Sequence, residues 1–289
     1  VLALTSAQML QVRVSHNPAH VIRPRLLTDG RHGCSEVTLV DPAHEEHWPV
    51  LQQGSVVAAG NFASVPVTGE YILVDGKRAR ITADDSKWSL QATNSGHRFE
   101  VRGGDDTATD QRSEFAGSQD RYGAGVEIWQ SWTTEINVRD GFEQVQQGGW
   151  GIFSQWQAID TSNPSALSPP IAFDYGNNGF KITTRSDAEY SGGFAVAKTR
   201  FADVLPAGPV NYVCRIVLGQ SGALQVWRGG VEIVNVAAPI GYYNFAGDLA
   251  QLQWGLYRKR SSLPAAVTTS NMRWGLTDLS SKILNPDPV

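Results

Sequence analysis

The chain has 289 residues, 41% hydrophobic and 18% charged, with a formal net charge of -4. This is the composition of a globular protein with ample core material, and the acidic balance argues against a general nucleic-acid binder, which carries a basic surplus. No apolar run approaches the roughly 20 residues that span a bilayer, so no membrane insertion is expected.

The first residues, Val1-Leu2-Ala3-Leu4-Thr5, lack the basic start of a secretory signal. Either a signal has been removed or the protein leaves its cell by another route. Ser6 to Val14 reads as at best a short helix. Residues 1–84 hold five of the six histidines and several proline-containing loops. They read as a small β-rich N-terminal region, either a separate domain or an extension packed on the rest of the chain. His16 with His20, and His44 with His47, do not have the His-Glu-x-x-His spacing of a zinc helix. Neither a metal nor a cofactor is expected. Within this region Tyr71 to Ile81 reads as a hairpin turning at Asp75-Gly76.

Residues 85–289 carry strand after strand, with turns at Gly103-Gly104, Asn177-Asn178-Gly179 and Gly192-Gly193. The chain's 29 Gly and nine Trp suit short strands and tight turns better than helices. Val126 to Val138 is the clearest strand. Its even positions (Ile128, Trp132 and Ile136 among them) are mostly apolar, and its odd positions (Glu127, Ser131, Glu135) mostly polar. Trp129 falls on the polar face, where a sugar-stacking platform is one reading and a core residue the other. Phe180 to Arg185 alternates in the same way and sets Lys181 and Arg185 on one side, as a contact for an anionic polymer or a solvated stripe. Gln225 to Val234 reads as a second hairpin, turning at Gly229-Gly230. Cys34 and Cys214 are the two cysteines; a disulfide is one option and two buried thiols the default. The fold class expected is all-β, a two-sheet jelly-roll sandwich with the small N-terminal region attached.

Three remote segments place polar residues on alternate positions: Gln111-Arg112-Ser113-Glu114, Gln155-Trp156-Gln157 and Gln253-Trp254-Gly255-Leu256-Tyr257. Residues two apart on a strand share a face. Arg112 with Glu114, Gln155 with Gln157, and Gln253 with Tyr257 therefore project together. A guanidinium, carboxamides and a phenol on one face suit an acidic sugar. Asp105, Asp106 and Asp110 form a short acidic loop, read as a solvated turn before a calcium site.

With His97-Arg98-Phe99-Glu100-Val101-Arg102-Gly103-Gly104-Asp105 ahead of them, these motifs resemble the jelly-roll polysaccharide lyases, the group of heparin lyase-like and alginate lyase-like enzymes. The likeness covers about residues 85 to 280. The family shows an Arg-x-Glu strand, a Gln-x-His strand and a late Lys-x-Gly-x-Tyr strand, in this order. It implies β-elimination at a uronate: the C5 proton is removed and the 4-linked sugar expelled. By that resemblance Arg112 and Gln155 hold the carboxylate, Glu114 orients Arg112, and Tyr257 is the acid and in some versions also the base. Gln157 stands at the family's histidine and Gln253 at its lysine. A glutamine cannot act as a base, so histidine-based elimination needs a residue from the N-terminal region, and Tyr257 alone serves as base only if ionised, which at pH 7 costs roughly 4 kcal/mol.

Two further readings stay open beside cleavage. One is a glycan-binding module that kept the groove and lost the chemistry, on a secreted protein or a phage-like particle. The other is a structural assembly domain that forms an oligomer or docks to a particle through residues 1–84. The expected partner is an acidic polysaccharide, and the expected location is extracellular or on a particle surface.

Overall fold

The structure is a computed structural model. It describes residues 25–27, 36–38 and 63–64, and from 71 to 286 all but 84–87, 94–95, 106–109, 118–119, 138–149, 160–167, 177–178, 189, 192–193 and 244–248. The expected helix at Ser6 to Val14, the early histidines and Cys34 lie outside the described residues.

Two compact units divide the chain between Gln52 and Gln53. In the first, β1 (Arg25–Leu27) pairs antiparallel with β2 (Glu36–Thr38). The second unit holds β3 (Ala63–Ser64), β4 (Tyr71–Val74), β5 (Lys77–Ala83), β6 (Leu90–Ala92), β7 (Gly96–Val101), β8 (Asp110–Ala116), β9 (Glu127–Asn137) and β10 (Trp150–Ile159). It continues with β11 (Ile171–Gly176), β12 (Gly179–Thr184), β13 (Tyr190–Ser191), β14 (Phe194–Ala195), β15 (Lys198–Asp203) and β16 (Val210–Val217). The last elements are β17 (Ala223–Arg228), β18 (Val231–Ala237), β19 (Leu249–Lys259), β20 (Ala265–Gly275) and a single-turn helix α1 (Ser281–Leu284).

Sixteen of these strands build two eight-stranded sheets, β15-β12-β11-β10-β19-β8-β5-β4 and β18-β17-β16-β9-β20-β7-β6-β3, and β13 pairs with β14 apart from them. The two sheets form the expected all-β jelly-roll sandwich. Residues 71–83, assigned from sequence to the N-terminal region, are strands of the first sheet, and the compact units part at 52/53 instead of 84/85. Both expected hairpins form. Asp75 and Gly76 have φ of 50° and 76°, and Gly229 and Gly230 have 54° and 84°, the left-handed pairs that a two-residue type I′ turn needs.

The sheets meet on an aromatic core. Trp132 stands edge-on to Phe173 at 5.0 Å, Phe99 to Phe115 at 4.8 Å, and Trp254 to Trp274 at 5.1 Å. A buried polar bridge crosses it: Trp156 Nε1 donates to Gln130 Oε1 at 2.9 Å, and Gln130 Nε2 donates to Ser154 Oγ at 3.0 Å. These bonds satisfy groups that would otherwise be costly to bury. Cys214 is a free thiol sealed in this core, and burial raises its pKa well above the usual value. His97 also faces inward, 4.8 Å from the Phe115 ring, and burial lowers its pKa to about 4.

Candidate functional site

The three polar segments become neighbours in one sheet, where β19 lies between β8 and β10. The register sets Tyr257 opposite Arg112, Gly255 opposite Glu114, and Gln253 opposite Gln155. Arg112, Glu114, Gln155, Gln157, Gln253 and Tyr257 therefore share the sheet face that looks away from the core. The core side is taken by Trp156, Trp254 and Arg258, all essentially buried. Arg258 Nε donates to Gln111 Oε1 at 2.8 Å, well away from the Tyr257 hydroxyl.

A continuous polar chain runs along this face. Gln155 Nε2 donates to Gln253 Oε1 and to Glu114 Oε1, each at 2.8 Å. Glu114 Oε2 stands 3.1 Å from Arg112 Nε. The Arg112 guanidinium lies over the Tyr257 ring, its carbon 4.2 Å from the centroid. Tyr257 Oη donates to Asp110 Oδ2 at 3.0 Å. Trp150 closes the other side of Tyr257, edge-on at 4.8 Å. The Gln155–Glu114 bond reaches across β19, at the level where Gly255 has no side chain. Gly255 has φ +133°, and a Cβ there would come within 2.3 Å of the Ser113 carbonyl oxygen and 2.8 Å of the Phe99 ring, so the strand takes this conformation only as glycine.

Burial governs the electrostatics. Glu114 is 2% exposed, and burial pushes its pKa up to about 7, against the opposing pull of Arg112 and the Gln155 bond. Tyr257 is held above the usual phenol value by burial first and by its bond to Asp110 second, with Arg112 pulling the other way. The phenol is therefore neutral at pH 7.

The remaining predicted residues divide. Lys181 falls on the same face by register, and Arg185 follows the last paired residue of β12, Thr184. A cross-strand row runs Tyr257, Ile152, Asp174, Lys181, and Lys181 Nζ lies 3.2 Å from Asp174 Oδ1. Arg185 is tied to the Pro169 carbonyl at 3.0 Å. Gln157 is on the face but pairs with Gln251, six positions along β19 from Tyr257, or roughly 20 Å. It belongs to a different stretch of the trough. Trp129 is not in the trough. It sits on β9, in the other sheet, with its ring stacked at 6.2 Å on Trp227 and its Nε1 bound to Glu127. Trp129 lies on the polar face of its strand, as the alternation predicts, but that face is the outside of the sheet opposite the trough. Gln155 is also recast: it is fully buried, and its amide nitrogen is engaged by Glu114 and Gln253.

Sequence reasoning missed Trp150, Asp174 and the role of Asp110. Asp110 was legible as the next alternate position before Arg112. Trp150 was not, because β10 carries an irregularity between Ile152 and Ser154. There Phe153 packs against Phe173 and Ser154 bonds Gln130, so both turn to the core, and counting by twos back from Gln155 puts Trp150 on the wrong side. Asp105 is a structural residue, accepting from Trp88 Nε1 at 2.8 Å and from the Arg102 amide at 2.7 Å.

A two-sheet sandwich with a row of polar side chains across the outer face of one sheet, cations and a tyrosine at its middle, is an arrangement that suits a carbohydrate. Consistent with this, the sequence profile of the polysaccharide lyases matches residues 74–280. The chain belongs to the polysaccharide lyase family. Among solved structures, it resembles an endo-β-1,4-glucuronan lyase from the fungus Trichoderma reesei at 13% identity, with TM-score 0.51, over 76% of this chain and 96% of that one. An alginate lyase from Pseudomonas aeruginosa matches at 20% identity and TM-score 0.45, over 64% and 85%. One from Klebsiella pneumoniae matches at 13% and 0.45, over 66% and 85%. No curated protein sequence matches.

Proposed function

We propose that this chain cleaves a uronate-containing polysaccharide by β-elimination in the trough around Tyr257. The observation that carries this reading is the Arg112 guanidinium held over the Tyr257 ring at 4.2 Å and anchored by buried Glu114. Elimination at a uronate needs its carboxylate neutralised beside C5, so that negative charge developing there is tolerated. Arg112 is half-exposed and preorganised for that task. Tyr257 then stands where protons at C5 and O4 are handled. Glu114 and Gln155 act behind them, fixing Arg112 and Gln253. Lys181, paired with Asp174, lies on the same face further across the sheet, where a neighbouring sugar would pass. Glucuronan, the polymer named for the Trichoderma reesei enzyme, is built of uronates and agrees with this substrate class.

Incubation with glucuronan, alginate and heparin-type polymers tests it, by following absorbance from the unsaturated product. A folded protein that gives no product on any of them refutes cleavage. A second reading, binding without cleavage, is favoured by one observation: the histidine position of the family is Gln157, and no histidine among the described residues lies on this face. Salt-sensitive polymer binding that depends on Arg112, with no product formed, would establish it.

A further inference from the structure

The trough contains a carboxylate that the uronate-lyase reading has not used. Asp110 opens β8, two positions before Arg112 and opposite Lys259, and its Oδ2 accepts the Tyr257 hydroxyl at 3.0 Å. That bond fixes where the phenolic proton points. With the hydrogen committed to Asp110, a lone pair of Tyr257 Oη is left for a substrate proton. We propose that Asp110 is the proton acceptor that lets Tyr257 work as a base while neutral, so that a single Tyr257–Asp110 pair carries the proton from C5 to O4. This rests on the lyase reading above.

The alternative, a standing phenolate, is opposed on geometric and energetic grounds. Facing Tyr257 are Asp110 and Arg112 from β8 and the uncharged Trp150 and Ile152 from β10; Lys259 follows on the same face of β19. Burial and the Asp110 bond together outweigh Arg112 and hold the phenol protonated. In the paired route no phenolate forms first. Tyr257 Oη takes the C5 proton as its own proton passes to Asp110. The C4–O4 bond breaks as the C4–C5 double bond forms, and the proton taken from C5 goes from Tyr257 to O4. Asp110 then returns its proton to Tyr257. One proton has moved from C5 to O4, and both side chains end as they began.

This route has a stereochemical consequence. One pair on one side of the ring requires the C5 hydrogen and O4 to lie on the same ring face. Glucuronate and mannuronate residues meet that requirement; guluronate and iduronate residues present them on opposite faces. Specificity for the first two therefore follows from the positions of two side chains.

The test compares wild type, Asp110→Asn and Asp110→Glu on glucuronan, polymannuronate and polyguluronate across pH 6 to 10. Wild type should cleave glucuronan or polymannuronate and spare polyguluronate. Asp110→Asn keeps an acceptor but cannot take the proton. It should lose about 100-fold or more at pH 7, then regain about tenfold per pH unit as the phenolate population grows. A merely structural Asp110 would lower the rate equally at every pH, and that result overturns the proposal, as does a wild-type rate in Asp110→Asn or preferred cleavage of polyguluronate. Asp110→Glu, which keeps a carboxylate, should keep the wild-type shape of the pH profile and serves if the Asn variant does not fold; the steep alkaline rise in it also overturns the pair. Wild type inactive on all three polymers and on the heparin-type polymers as well refutes the lyase reading itself, and the proposal with it.

Discussion

Arg112 and Tyr257 are cross-strand partners on β8 and β19, with the guanidinium carbon 4.2 Å above the ring centroid. The stack brings the cation that would meet the uronate carboxylate and the phenol that would handle its protons onto one spot. A planar guanidinium can lie flat on the ring and still present N–H groups outward, whereas an ammonium is a point charge. Arg112→Ala should therefore lower kcat/KM on a cleaved polymer by about 100- to 1,000-fold. Arg112→Lys should recover only part of it, despite the retained charge. Initial rates of unsaturated-product formation measure both. A loss of less than threefold in the Ala variant would place carboxylate neutralisation elsewhere.

Gln155 and Gln157, two residues apart on one strand face, should separate cleanly. Gln155 is buried and binds both Glu114 and Gln253. Gln155→Ala leaves a buried carboxylate and a buried amide without their donor, so it should cost about 1–3 kcal/mol of stability and loosen Arg112. Gln157 is partly exposed and six positions from the Tyr257 register. Gln157→Ala should leave denaturation midpoints unchanged and raise KM with kcat nearly constant. Equal effects of the two substitutions on unfolding by urea would contradict this division.

The pH dependence of stability should conceal two opposing contributions. The Glu114 pKa is raised to about 7 in the folded protein by burial. Its contribution is fully present below the unfolded value and is lost as pH rises through 7. The His97 pKa is lowered to about 4 by burial. Its contribution is present above the unfolded value of about 6.5 and is lost as pH falls toward 4. Each spans about 3 kcal/mol, and over pH 4.5 to 6.5 they nearly cancel. His97→Phe should unmask Glu114, giving stability that falls as pH rises from 5 to 7. Glu114→Gln should unmask His97, giving stability that rises over the same interval. Urea midpoints at each pH check the signs, and parallel slopes in the two variants would show that neither group titrates as described.

Much of this was legible because a strand repeats every two residues. Alternation set Arg112 with Glu114 and Gln155 with Gln157, and the dipeptides Asp75-Gly76 and Gly229-Gly230 marked their turns. Period two, however, says which residues share a face and not which sheet that face belongs to. Trp129 shows the difference: its side of β9 was correctly read as the non-core side, yet it looks out from the sheet opposite the trough. Pairing was equally out of reach, since Gln155 meets Gln253 through a register set over a sequence separation of 98 residues. The irregularity at Phe153 and Ser154 broke the count that would have found Trp150. Tyr71 to Ile81 reads as a hairpin from sequence, but nothing local says that β5 continues the sheet beyond β8.

Trp150 and Trp129 therefore give a direct test of which sheet carries the trough. Trp150 lies edge-on to Tyr257 at 4.8 Å, with a ring that both packs the phenol and borders the open face. Its removal should admit water to Tyr257, weaken the apolar contact available to a sugar ring, and lower kcat/KM by roughly tenfold or more, about 1.4 kcal/mol. Trp129 stacks on Trp227 in the other sheet, at 6.2 Å and 8° between planes. Trp129→Phe keeps most of that packing and should leave polymer cleavage and binding within twofold of wild type. Isothermal titration with an uncleaved oligomer, alongside the rate assay, reads both variants. If Trp129→Phe abolished binding while Trp150→Ala did not, the carbohydrate surface would lie on the opposite sheet, and the roles given to Arg112 and Tyr257 would fall with it.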